Sequence, residues 1–368
     1  MTAARFIGSE VYRGSSYGRW HPLRIPRVPT VMDLARALGW LGTDRYINSP
    51  RAKPAALELW HTPAYVAALQ RAEAEGRVDK ATRARHGLGT TANPVFPEVF
   101  RRPATSAGGV MLAAELVAEG GMVHAPGGGT HHAFPDRANG FCYINDPVLC
   151  LLALRRLGMQ RLVYVDIDAH HCDGVEHAFA GDPDMRLISV HENRRWPFTG
   201  ALGDDGGGSA FNLPVPRGFN DTEMRAVIER LIVPRTAGFA PDAIVLQCGS
   251  DAIEEDPLSR LSLSNNAHLD VVRALRPLAP RLIVLGGGGY NPWSVARAWT
   301  AVWGVLSDQP LPDRLPPPAE AVLRGLRWEG ARAGKSPPEH WFTTLIDPPC
   351  EGPLRPEITE ALDALARR

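Results

Sequence analysis

The chain has 368 residues, 44% of them hydrophobic, and its 40 Lys and Arg balance its 40 Asp and Glu to a formal net charge of zero. This is enough chain for a large buried core, in one big domain or two ordinary ones, and no arm of Lys or Arg argues for a nucleic-acid footprint. No apolar run reaches the ~18 residues of a membrane-spanning helix, MTAARFIGSEVYRG lacks a basic region before an apolar core, and five scattered cysteines without a CxxC pair read as free thiols in a reducing cytoplasm.

In chain order, helical patterns are expected around 56–75 and at 107–119, followed by a strand at 121–125 (GMVHA). A helix at 146–157 follows, with Asp146-Pro147 as a cap-plus-proline start. Further strands are predicted at 161–167 (RLVYVDI), 185–191 (MRLISVH), 242–248 (DAIVLQC) and 281–286 (RLIVLG). Helices are predicted between and after them, at 222–238, 264–277 and 293–306. The strands are almost continuously apolar, which suits burial on both faces. Strand–helix alternation implies parallel βαβ units and an α/β fold built on one doubly covered sheet. From about 308 the chain turns Pro-rich (DQPLPDRLPPPAE), and it ends in a helical pattern near 355–367. This extension, 308–368, is expected to pack on the same domain, making 1–368 a single unit.

Each chemically rich segment follows a strand. PGGGTHH follows 121–125, DIDAHHCDG ends 161–167, GSDAIEEDP follows 242–248 and GGGGYN follows 281–286. In open α/β sheets, ligands bind beyond the carboxyl ends of the strands, so the four segments can converge. If the chain stays extended past Ile167, Asp166, Asp168 and His170 share one face. A carboxylate beside an imidazole makes a metal half-site, and catalytic sites use three protein ligands plus an open position. Asp251 is the best third ligand. His131 and His132 suit proton transfer near neutral pH, with Asp166 and Asp173 available to orient them. Tyr290 is placed to hydrogen-bond a substrate carbonyl and its developing oxyanion. Together these parts describe metal-assisted hydrolysis of a carbonyl compound.

The segments GGGTHHAFPDRANGFCYINDPVL, VYVDIDAHHCDGVEHAF, ISVHE, LQCGSDAIEEDPLSRLSLS and LGGGGYNPWSVARAW resemble the zinc-dependent histone deacetylase family. This family includes acetoin-utilisation deacetylases and acetylpolyamine amidohydrolases. HPLRIPRV, from His21 to Val28, also looks like its N-terminal element. The resemblance covers residues 6–305 and is closer to the class I and acetoin-utilisation branch, because GGGGY carries the tyrosine.

The resemblance implies an arginase/deacetylase fold, one parallel sheet of about eight strands covered by helices on both faces. It implies a deacetylase of acetyl-lysine or a small acylated amine, with Asp168, His170 and Asp251 holding zinc. Ferrous iron suits the same donor set. It makes His132, oriented by Asp173, the general base and acid, with His131–Asp166 an electrostatic partner and Tyr290 the carbonyl-polarising group. Gly140, Phe141, Trp196 and Leu258 would line the acyl tunnel and Arg27 the product channel. Backbone oxygens of Asp166, Asp168, His170, Ser189 and Val190 would bind potassium.

Two departures stand out. The rim loop from His86 to Phe96 has Thr91 and Ala92 about where family members often carry an acid, with only Asn93 polar and close. Cys172 stands where glycine is usual, and reads as a small buried thiol. A missing rim acid weakens the case for a peptide substrate. Enzymes of the family that act on polyamines tend to add a rim carboxylate to grip a remote ammonium, and Glu192 and Glu98 are the acids open to that role. A ureohydrolase with two manganese ions would need a second Asp two residues from Asp251, which is absent. A catalytically inactive binding module would have lost Tyr290 or a histidine, and all are present. His171 has no role legible from sequence, and oligomeric state is not legible either.

Overall fold

In a computed structural model of the chain, residues 3–328 and 337–368 are described. Eight strands form one sheet: β1 Arg5–Gly8, β2 Tyr46–Asn48, β3 Gly121–Ala125, β4 Leu162–Asp166, β5 Met185–Glu192, β6 Ala210–Val215, β7 Ala243–Gln247 and β8 Arg281–Leu285. Their order is β2-β1-β3-β8-β7-β4-β5-β6, and every pairing is parallel.

The five strands legible from their apolar runs are present. β1, β2 and β6 escaped that reading for different reasons. β1 and β2 are only four and three residues long. β6 (AFNLPV) contains Asn212 and Pro214, and proline is tolerated because β6 is an edge strand.

The pleat sorts the apolar residues of the central strands onto two faces. Val163, Val165, Ile244 and Leu246 join one cluster with helices Val28–Ala37, Asn265–Leu275 and Pro292–Leu306. Leu162, Tyr164, Ala243 and Val245 join the other with helices Arg101–Leu116 and Asp146–Arg156. Burial on both faces is why the strands read as continuous apolar runs.

Helix Pro292–Leu306 is buried at every position, which accounts for a helix that is apolar nearly all round. Its outer side is covered by the C-terminal segment. Trp341 stacks on Trp293 at 5.6 Å, and Leu345, Ile358, Leu362 and Leu365 enter the same cluster. Arg297, fully buried in that helix, is neutralised by Asp347 and donates to the carbonyl of Thr344 at 2.7 Å.

Two helix expectations need correction. The cap of helix Asp146–Arg156 is Asn145, whose side chain accepts from the N–H of Val148, and Asp146 faces inward instead. The helix expected at 222–238 is divided into Asp221–Val227, a wider π turn at Ile228–Ile232, and Val233–Phe239. Pro234 explains the break, because it has no N–H and its ring crowds the preceding turn. No helix among the described residues is long and apolar enough to cross a membrane.

Candidate active site

The four segments singled out in the sequence leave β3, β8, β7 and β4, which are consecutive neighbours in the sheet. Strand adjacency therefore collects them at one edge. Asp146 holds the first of them. Its carboxylate accepts the N–H of Gly129 at 2.6 Å and the hydroxyls of Ser106 and Thr130. Asn145 donates to the carbonyls of His131 and Ala133 at 3.1 and 2.9 Å. These two residues shape the turn that presents the histidine pair. In sequence Asp146 is legible only as a helix start, because its burial and its contact with the glycine-rich loop arise from tertiary packing.

The second segment does not stay extended. β4 ends at Asp166, and residues 168–170 bend. The Asp166 carboxylate accepts the N–H of Asp168 at 2.9 Å, and the Asp168 carboxylate accepts the N–H of His170 at 3.1 Å. The expectation of three side chains on one face is therefore corrected: Asp166 turns to His131, whereas Asp168 and His170 meet Asp251. Short acceptors bonding the backbone two residues on make such a bend.

Donor atoms of Asp168, His170 and Asp251 all lie within 4.8 Å of one another, and the three residues are buried. His170 Nδ1 lies 2.9 Å from Asp251 Oδ2 and 3.2 Å from Asp168 Oδ1. Burial opposes charge on His170, but the two carboxylates overcome it and raise its pKa to about 10. Burial, and then the charge of Asp168, raise Asp251 to about 6. Two buried carboxylates and an imidazole thus demand positive charge at one point. A divalent cation fits that donor set of two oxygens and one nitrogen. Among the described residues this is the one group of its kind. Gly288 makes room for it, since a Cβ there would collide with the Asp251 carboxylate, and its N–H donates to Asp168 at 2.6 Å.

The histidine pair diverges electrostatically. His131 Nδ1 donates to Asp166 at 2.8 Å, and Asp166 also accepts the Tyr164 hydroxyl at 2.9 Å. Burial works against the His131 imidazolium, but Asp166 and Asp168 prevail and raise its pKa to about 9. His132 Nδ1 donates to Asp173 at 2.7 Å, and Asn139 donates to the other oxygen of Asp173 at 3.2 Å. Burial, and then the charge of His131, lower His132 to about 4 despite Asp173. The two neighbouring imidazoles are thus pushed in opposite directions, His131 toward the charged form and His132 toward the neutral one.

Above the donor set opens a cavity of about 490 Å³ lined by His132, His170, Gly140, Phe141, Trp196, Leu258 and Tyr290. Phe141 meets Tyr290 edge-on at 6.0 Å, and Trp196 meets His132 edge-on at 4.6 Å, so the aromatic walls rest on the phenol and on one of the paired histidines. Gly140 has φ +51°, and a Cβ there would strike Trp196. Phe141 N–H donates to Asn93 at 2.9 Å, so this side chain of the rim loop is spent on holding a wall. A small inner cavity of about 30 Å³ reaches Arg27, which donates to the carbonyl of Gly287 at 2.6 Å.

Glu192 and Glu98 do not line the mouth. Glu192 is gripped by Arg195 through two contacts of 2.8 Å, and Glu98 lies 3.7 Å from Arg101. His171 bridges Thr199 at 2.9 Å and Glu176 at 3.1 Å, tying the loop after β5 to helix Asp173–Phe179. Cys172 is fully buried.

Residues 21–306 match the histone deacetylase domain. The chain is 32% identical to the acetoin utilization protein AcuC of Bacillus subtilis, over 98% of this chain and 95% of that protein. It is 34% identical to the histone deacetylase RPD3 of Saccharomyces cerevisiae, over 82% of this chain and 71% of that protein. Crystal structures of a histone deacetylase homologue from Aquifex aeolicus and of such a homologue complexed with SAHA each superpose with a TM-score of 0.94. Each is 34% identical and covers 99% of this chain and 100% of the matched one. The parallel sheet, the donor set at its edge and these matches lead to one conclusion: the chain belongs to the histone deacetylase family.

Proposed function

We propose that this protein is a metal-dependent deacetylase that hydrolyses the acyl amide of an acetylated amine such as acetyl-lysine. The observation that carries this reading is the convergence of Asp168, His170 and Asp251 under a cavity walled by His132 and Tyr290. Zinc is the cation the family resemblance favours. A divalent metal in this site supplies Lewis acidity toward a carbonyl oxygen and lowers the pKa of a water.

The chain's own residues supply the rest. Phe141, Trp196 and Gly140 admit a slim, extended acyl chain and exclude bulk water from it. His132, neutral and held by Asp173 through Nδ1, has Nε2 left to take a proton from the attacking water and return it to the leaving amine. His131, held as an imidazolium against Asp166, stabilises negative charge developing beside it. The Tyr290 hydroxyl donates to the acyl oxygen as the tetrahedral centre forms. Backbone oxygens of the Asp166–His170 segment, with Ser189 and Val190, are assigned to potassium, a reading supported by the register that pairs Asp166 with Ser189.

Among the described residues no carboxylate lines the cavity. Nothing there grips a distant ammonium group, which weighs against an acetylated polyamine. The test is hydrolysis of a fluorogenic acetyl-lysine substrate with and without chelator. Activity that persists after complete metal removal overturns the reading.

A further inference from the structure

The face around the cavity mouth is strongly positive for a chain of zero net charge. Arg137 and Arg195 line the mouth, and among the described residues no Asp or Glu does. Arg195 also lines an adjoining groove of about 690 Å³, together with Arg194, Arg217 and Arg260. Among the described residues Glu192 is the one carboxylate lining that groove, and both its oxygens are already taken. Arg195 holds it through two contacts of 2.8 Å, and the backbone N–H of Arg260 donates to it at 2.9 Å. Glu192 therefore offsets Arg195 and leaves the other guanidinium groups in excess. Arg137, Arg194 and Arg217 are exposed and form no ion pair among the described residues. Guanidinium groups are suited to paired hydrogen bonds with carboxylates.

Resting on the deacetylase reading above, we infer that this arginine groove selects substrates whose acyl-lysine is flanked by acidic residues. The tunnel takes the acyl-lysine side chain, and the groove begins where the tunnel ends, because Arg195 belongs to both. A group bound in the groove thus sits beyond the lysine stem, at the reach of neighbouring peptide residues. The missing rim acid fits this arrangement, since a carboxylate at the mouth would repel such a substrate.

The test compares kcat/KM at low ionic strength for three peptides of equal length. In each, one acetyl-lysine is flanked by Glu, by Gln or by Lys. Each exposed pair contributes only a few-fold, so several together are expected to favour the Glu peptide over the Gln peptide about tenfold. The Lys peptide is expected to be poorer still. The preference resides in KM and shrinks as salt is raised. The double variant Arg194→Gln, Arg217→Gln moves the ratio toward one. Equal kcat/KM for the three peptides overturns the inference while their hydrolysis leaves the deacetylase reading standing. So does a Glu preference that survives both high salt and the double variant. Failure to hydrolyse any of them, or a short uncharged acetyl-lysine substrate, overturns both. The peptide comparison is made in the unaltered protein and does not depend on a variant folding.

Discussion

The backbone N–H of Tyr290 donates to the carboxylate of Asp256 at 2.7 Å, and the N–H of Leu258 donates to its other oxygen at 2.9 Å. One buried acid thus pins both the glycine-rich turn carrying the phenol and a loop carrying a cavity wall. Burial, and then the charge of Asp251, raise the Asp256 pKa well above the usual carboxylate range. Asp256→Ala is expected to lower kcat about a hundredfold, because small misplacements of a reacting group are that costly. Asp256→Asn, which keeps an acceptor oxygen, should recover part of the loss. Steady-state kinetics on an acetyl-lysine substrate decide the matter, and full activity in the alanine variant refutes the positioning role.

Tyr290→Phe removes only a hydroxyl. Loss of one donor to a developing oxyanion costs on the order of 10²–10³ in kcat. The expected result is that loss with little change in KM or in melting temperature. An unchanged kcat would remove Tyr290 from the chemistry.

Stripping the metal should abolish activity and also lower the melting temperature by a few degrees. Asp168 and Asp251, both buried, then have only His170 between them to offset two negative charges. A cation at about 100 times its Kd contributes about 2.7 kcal/mol to the folded state. Titrating zinc or ferrous iron back and following both turnover and melting separates the two roles. A melting temperature indifferent to chelator contradicts a cation at these three residues.

His61 and His124 give a pH dependence remote from the donor set. Burial lowers both imidazoles from 6.5 to about 4. Between those values the unfolded chain binds more protons than the folded one, so stability rises with pH through this window. The contribution is complete above pH ~6.5 and is lost as pH falls toward ~4. His61→Gln, which keeps a partner for the N–H of Asn145, removes one such term. The melting-temperature gap between wild type and variant should therefore narrow from pH 7 to pH 5. A gap that stays constant refutes the assignment.

Much of this site was legible because its chemistry is written in short spacings. Asp168 and His170 are two apart, the histidine pair is adjacent, and Tyr290 follows a run of glycines. Asp256, Asp146 and Asn145 were not legible. Each looks like an ordinary turn or cap residue, and each acts through backbone N–H or C=O groups that sequence does not locate. Glu192 was misleading in the other direction, as its carboxylate is consumed by Arg195.

The sequence by itself determined the alternation of apolar strands and helices, and the placement of reactive residues just after four strands. Both are local consequences of side-chain type and spacing. Only the tertiary structure decided that β3, β8, β7 and β4 are neighbours, since strand order depends on backbone pairing between distant segments. It likewise decided that the pKa of His131 is raised and that of His132 lowered, because burial and the surrounding charges act differently on each. Two adjacent residues of one type acquire opposite pKa shifts through what the fold packs around each.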